Sequence, residues 1–471
     1  VDAPIPTAWW INFGAYVRGG NGSTMAPALA GFTGIGALGG GDIRIRVGGD
    51  AGAIDPRGAQ AAGTSTEGRS QGLVVAVGSS GRVAADGSLA LTGGGDIDMR
   101  VAGALNPQRG LADSAENLVF TGVIANLRGA TEVDAASIGS VAPRYQVPGG
   151  SFIERNDPRG VDLFAASYAN ARGGINLAPG DATIRLNTLG DLVLGGVTDP
   201  GRAATPNTSA FAAGGLQPAG GGNAWFSLWS GRSAIDLVAA GGDLTPLTAL
   251  RGINDSAVQT VVRDGWIVYP SIFRVAALSG SLYYGSAAQP RAIDRPEAMN
   301  VGLVLAPSAT GELELLAGGS IHAGRLAIGM SGSGAALPTP FDPAFAGTDI
   351  AGSGELIASN LAANALATSG VPTLFAFGPN SASIPLERAA DAPPIRIYAA
   401  GGDIVALKTG ETVTFGGGVD TWFNAARPVR IRAARDIVNT GDAPGSATGG
   451  ATELGGAALR ERALNAAGRI A

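Results

Sequence analysis

A short unit recurs along the chain: a turn of glycines closed by aspartate or serine, then a strand that alternates apolar and polar residues. It reads "LGGGDIRIRVGGDAG" from Leu38 to Gly52 and "LTGGGDIDMRVAG" from Leu91 to Gly103. Further copies are "PGDATIRLNTLGDLVLGG" at Pro179, "SAIDLVAAGGDLTPL" at Ser233 and "GELELLAGGSIHAGRLAIG" at Gly311, then "IRIYAAGGDIVAL" at Ile395 and "VRIRAARDIVN" at Val429. Within a unit Ile43, Ile45 and Val47 alternate with Arg44 and Arg46, the two-residue period of a strand with one face buried and the other in water.

The connections between units narrow the topology. Tight "NG" or "DG" hairpin turns are nearly missing, Asp86-Gly87 being the clear exception, which argues against an antiparallel meander. Helical patterns of crossover length are also scarce, so an ordinary α/β parallel sheet has no connectors. Strands that pair in parallel with their own equivalents one repeat later remain. The expected fold is therefore all-β, a parallel β-solenoid. Glycine, 76 of 471 residues, fits corners that bend sharply and lie close beneath one another. The aspartates at these corners, Asp42, Asp96, Asp191, Asp243, Asp403 and Asp436, are expected to cap the bend by accepting its backbone N–H groups. With roughly 20 to 30 residues per repeat, the rod is expected to measure on the order of 80 to 100 Å.

The shaft is assigned to residues 38–439, after a lead-in or cap over 1–37. Insertions are expected near 106–172, 246–270 and 337–372, the last including a short helix over Gly354 to Gly370. Residues 440–471 read as a flexible linker ending in a helical cap. The chain starts at Val1 with no signal-peptide pattern, and is expected to be a processed or excised part of a longer protein.

Composition limits function. Charged residues are 15% of the chain and the net charge is -6, so no long-range field attracts a polyanion, and nucleic acid is not an expected partner. There is no cysteine, which excludes disulfides, thiolate metal sites and a cysteine nucleophile. No apolar run is long enough for a transmembrane helix. The glycine-aspartate turns are not in the immediate tandem that calcium-binding β-rolls need, and no cofactor or metal is expected.

The longer phrases, with "LWSGRSAIDLVAAGGDLTP", "LAPSATGELELLAGGSI" and "FAFGPN" among them, resemble the C-terminal β-helical region of filamentous-haemagglutinin-like exoproteins of two-partner secretion. The resemblance runs from about Gly39 to Asn439. It implies a right-handed parallel β-helix that is secreted or held at the outer surface of a Gram-negative bacterium. It also implies export through an outer-membrane pore partner, and roles in adhesion, biofilm or fibre formation. The family's N-terminal secretion domain with its Asn-Pro motifs is not recognisable; "NPQRG" at Asn106 is too short to stand for it.

The expected function is that of a noncatalytic structural and adhesive shaft. Arg44, Arg46, Arg430 and Arg432 on outward strand positions, with Trp225 and Trp229 of "NAWFSLWS", are the candidate surface-binding residues, for glycans or host receptors. End-to-end self-assembly into filaments is a further candidate. The alternative is a glycan-active β-helix lyase or hydrolase, for which the carboxylate pairs Asp96 with Asp98 and Glu312 with Glu314 have the spacing to share a strand face. The single histidine, His322, is expected to be a solvated corner residue, and no catalytic site, cofactor site or metal site is assigned.

Overall fold

The computed structural model describes residues 15–18, 27–31, 34–54, 72–83, 89–108, 122–146, 152–154, 167–197, 224–225, 227–246, 267–283, 303–306, 308–323, 328–330, 344–345, 393–405, 407, 411–415, 418–422 and 429–438. Among them every regular element is a strand.

The alternating stretches form one long parallel ladder of nine strands. In chain order they are Ile43–Val47, Ile97–Leu105, the C-terminal parts of Gly122–Ile138 and Ile175–Thr188, then Ala234–Ala239, Ile272–Ala277, Glu312–Ala317, Ile395–Ala399 and Val429–Ala433. Each pairs with its counterpart in the next repeat, residue for residue. A shorter parallel ladder follows each corner, from Ala51 through Leu105, Ile138, Leu192, Leu244, Leu282, Ile321 and Ile404 to Ile437. A third precedes the long ladder: Ile35–Ala37 pairs with Val74–Val77, which pairs with the start of Gly122–Ile138, itself paired with the start of Ile175–Thr188. Later repeats carry Ile267–Tyr269, Leu303–Leu305 and Ile328–Met330, also parallel. The first three ladders join into a nearly closed, barrel-like parallel sheet, compatible with a parallel β-solenoid.

The register explains the core. One inward column of the long ladder reads Ile45, Met99, Val133, Leu186, Leu237, Val275, Leu315, Ile397, Ile431. Its interior members are fully buried, while Ile45 and Ile431 on the two end strands are half-buried. Toward the corner the inward residues become small, with Ala239, Ala277, Ala317, Ala399 and Ala433 stacked in register. Small side chains there let the chain bend without leaving a void or a clash. Most parallel sheets bury both faces and read as continuous apolar runs. These strands alternate because only one face is covered.

The corners demand glycine by close approach. A Cβ on Gly280 would lie 2.0 Å from the Gly242 carbonyl oxygen of the previous repeat. Gly94 has φ +89°, and a Cβ there would meet the Arg128 carbonyl at 2.5 Å.

Several expectations about the insertions change. Residues 106–172, expected to project as an insertion, contain Gly122–Ile138, which supplies strands to all three ladders. Among the described residues the antiparallel side sheet there is built by Ser140–Gln146, Phe152–Glu154 and Ser167–Arg172. Gly122–Ile138 lacks the glycine-aspartate turn that marks the other repeats, which is why the pattern missed it. Residues 246–270 end in Ile267–Tyr269, whose Tyr269 is buried, donates a hydrogen bond to the Pro246 carbonyl (3.1 Å) and packs edge-on against Phe273. In the stretch 337–372 only Ala344–Phe345 is described, paired with Ala224–Trp225; the helix expected over 354–370 and the linker and cap over 440–471 lie outside the described residues. Within the 1–37 lead-in, Ile35–Ala37 already belongs to the third ladder. Asp86-Gly87 falls between Ser79–Val83 and Leu89–Gly93, which pair antiparallel.

The ladder is also shorter than expected. At about 4.8 Å per strand its nine strands span about 40 Å. The cause is repeat length: corner residues bonded across neighbouring repeats stand 33 to 83 residues apart in sequence.

Candidate functional site: the outward face of the long ladder

The register that stacks the core also stacks the outward residues. One outward column reads Arg44, Asp98, Glu132, Arg185, Asp236, Arg274, Glu314, Arg396, Arg430. The next reads Arg46, Arg100, Asp134, Asn187, Val238, Ala276, Leu316, Tyr398, Arg432. The first is charged throughout; the second is charged at its ends and apolar near its middle.

Ion pairs run between strands. Arg46 pairs with Asp98, Arg100 with Asp134 (3.3 Å) and Arg185 with Asp236 (3.6 Å). Arg274 bridges Asp236 (3.0 Å) and Glu312 (2.6 Å), and Arg396 contacts both Glu312 (3.1 Å) and Glu314. The hydrogen bond and charge of Arg46 hold the Asp98 carboxyl below its usual range. Partial burial acts to raise Glu312, but hydrogen bonds and charge from Arg274, with Arg396 beyond, outweigh it and lower the group. Glu314 moves the other way: partial burial and the neighbouring Glu312 raise it against the pull of Arg396. Two carboxyls pushed in opposite directions are what an acid–base pair requires. Here both lie against guanidinium groups.

The other expected pair is divided between a corner and a strand. Asp98 is on the strand with Arg46, whereas Asp96 sits in the corner, its Oδ1 accepting the Ala130 N–H (2.9 Å). The six corner aspartates fall at two different corners. Asp42 and Asp96 precede the long strand, and Asp42 accepts the Asp96 N–H (3.0 Å). Asp191, Asp243, Asp403 and Asp436 follow it. Capping within one bend is replaced by bonding between repeats. Asp191 accepts from Asp243 N (2.9 Å), Asp243 from Ser281 N (2.8 Å), the Ser281 hydroxyl from Ser320 N (3.1 Å), the Ser320 hydroxyl from Asp403 N (3.0 Å), and Asp403 from Asp436 N (3.0 Å). The sharp corner turns each side chain along the stack, so the nearest open N–H belongs to the following repeat. Asp50 does the same for Ala104 N (2.9 Å), a cap the sequence pattern passed over.

Two aromatic expectations are corrected. Trp229 is not a surface platform: it is 6% exposed, and its indole N–H donates to the Pro179 carbonyl (3.0 Å), seating it in the core. The Trp225 side chain lies outside the described residues. His322 is not solvated either; it occupies the short ladder, buried and stacked on Tyr283 with ring centroids 4.8 Å apart and planes 7° off parallel.

Arg44, Arg46, Arg430 and Arg432 are exposed on the first and last strands of the ladder. Arg432 lies over the Tyr398 ring, 5.3 Å from its centroid. Near the opposite end, an open groove of about 710 Å³ runs along the second column, bordered by Arg46, Arg100, Asp134, Leu189 and Val238. Glu132, Asp134, Arg185, Asp236 and Arg274 did not stand out in the sequence. Aligning the repeats on their corners would have placed them in two columns.

Among the described residues no helix is long and apolar enough to cross a membrane. No protein-family model matches the chain, and no curated protein and no solved structure matches it either.

Proposed function

We propose that the chain is a noncatalytic structural and adhesive shaft, a right-handed parallel β-helix of the filamentous-haemagglutinin-like kind. It is secreted or held at the outer surface of a Gram-negative bacterium, exported through an outer-membrane two-partner-secretion pore, and serves attachment, biofilm or fibre formation through surface glycans or host receptors. One observation carries this reading: along the outward face, carboxylates are matched by arginines of adjacent repeats over most of the ladder. Such matching spreads charge over a long, rigid surface and leaves the carboxylates bound to the scaffold.

The shaft reading predicts that beads coated with the purified protein attach to glycan-bearing surfaces, and that acidic and neutral polysaccharides incubated with it give no new reducing ends or unsaturated products. The glycan-active enzyme is the second reading, favoured by the opposed shifts of Glu312 and Glu314. Turnover that disappears in Glu312→Gln or Glu314→Gln would establish it and overturn the shaft.

A further inference from the structure

We propose that the edge strand Val429–Ala433 is a docking site for a parallel β-strand carrying carboxylates at its two outward positions, and that the same edge resists end-to-end joining of two copies of this chain. The inference rests on the stacked architecture and not on the adhesive role, and it sets aside end-to-end joining of copies as the way such a shaft would build a fibre.

Three observations meet at this edge. The first is its open side. Among the described residues Val429–Ala433 pairs only with Ile395–Ala399, and Ile437–Val438 only with Ile404–Val405. Inward Val429, Ile431 and Ile437 are half-buried, whereas Ile395, Ile397 and Ile404 one repeat earlier are 0–1% exposed. One more strand would bury these half-buried side chains and pair edge N–H and C=O groups that no other described strand takes.

The second is charge. Arg185, Arg274 and Arg396 each reach a carboxylate on an adjacent strand. Arg430 has no ion pair among the described residues, and its column neighbour is Arg396, already committed to Glu312 and Glu314. Arg432 faces a tyrosine ring in place of a carboxylate. A following strand with acidic outward residues would give Arg430 the kind of partner that Arg185, Arg274 and Arg396 have, and Arg432 the kind that Arg100 has in Asp134.

The third lies at the opposite end. The first strand reads "IRIRV" and the last "VRIRA"; among the nine, only these two carry arginine at both outward positions. Stacking two copies in continuing register would set Arg430 against Arg44 and Arg432 against Arg46. Like charges directly opposite are destabilising, and where the ladder itself sets Arg46 against Arg100 or Arg396 against Arg430 a carboxylate contacts at least one of the two, whereas a joint between copies would bring Arg430 and Arg432 none. A second copy is therefore the wrong occupant, and an acidic strand the right one.

The test uses the full chain with two labelled peptides. Both copy residues 429–439; one keeps the arginines and the other has both replaced by glutamate. Fluorescence anisotropy at low salt should show the acidic peptide binding on the order of tenfold tighter than the basic one, with the gap closing as salt screens the charges. Arg430→Glu with Arg432→Glu, both exposed, should reverse the preference. By sedimentation velocity the unaltered chain should keep one mass over a concentration series, whereas the doubly substituted protein should form chains, since its last strand now complements Arg44 and Arg46. Equal affinity for the two peptides, a preference the double substitution does not reverse, or binding of neither peptide would overturn the proposal. So would concentration-dependent association of the unaltered chain. Heparin bound at this edge and not displaced by the acidic peptide would make it a sulfated-glycan site instead, and equally overturn it. Failure of the adhesion assay with the peptide preference intact would leave this edge assigned and remove only the adhesive role.

Discussion

The inward and outward faces of the long ladder are built by the same nine strands in the same register, yet they follow different rules. Inward, each column repeats one kind of residue: Leu237, Val275, Leu315 and Ile397 succeed one another with exposures of 0–1%. Outward, the column beside it runs Asp236, Arg274, Glu314, Arg396, changing sign at every step. An apolar side chain packs well on its own kind, whereas a charge stacked about 4.8 Å above its own kind is repelled. One register thus favours sameness inside and opposite charges within reach outside; where arginines do adjoin, as Arg46 with Arg100 and Arg396 with Arg430, a carboxylate contacts at least one of the two, and substitutions on the two faces should differ in size and in their response to salt.

The largest effect is expected inside. Phe273→Ala removes a fully buried ring that also packs edge-on against Tyr269, and should cost about 3–5 kcal/mol in urea unfolding, indifferent to salt. The corner comes next. Asp243→Ala takes the acceptor from the buried Ser281 N–H and should cost about 1–3 kcal/mol, while Asp243→Asn, which keeps an oxygen there, should recover most of it. Outside, Arg274→Ala breaks contacts to Asp236 and Glu312; with the side chain 39% exposed, the loss should be about 1 kcal/mol or less and should shrink in high salt. A salt-independent loss as large as that of Phe273→Ala would erase the distinction between the faces.

The faintest signal is in pH. Glu312 lies below its ordinary value of 4.5 in the folded state, so its contribution is complete above pH 4.5 and is lost as pH falls through the lower folded value. Glu314 lies above 4.5, so its ionised form weakens the fold at neutral pH, and that penalty fades as pH falls through the raised value toward 4.5. Together the pair should give a shallow stability maximum near pH 4.5. Chemical denaturation across pH should show Glu314→Gln flattening the side above the maximum and Glu312→Gln the side below it.

The inward face was legible in sequence because alternation is local: Ile43, Ile45 and Val47 declare a buried side without reference to any other strand. The corners were legible for the same reason, as glycine followed by aspartate. The outward ion pairs were not, since Arg274 and Glu312 stand 38 residues apart and meet only once register is known. The direction of the caps was hidden likewise, because a carboxylate bonding forward to the next repeat leaves the same local pattern as one bonding into its own bend. Trp229 was ambiguous for a different reason. A tryptophan can serve either as a sugar platform or as packing, and the choice depends on Pro179, from the preceding repeat, which provides the indole with a buried acceptor.

The account stands on the in-register parallel stack, and its length is directly measurable. The chain has no cysteine, so Arg44→Cys with Arg430→Cys gives two clean labelling sites, on exposed positions of the first and last strands of one column. Double electron–electron resonance between spin labels there should give a single distribution centred near 40 Å, eight steps of about 4.8 Å each. A distance of about 80 Å or more, as repeats of 20 to 30 residues would give, or a broad distribution without a dominant peak, would contradict the stack.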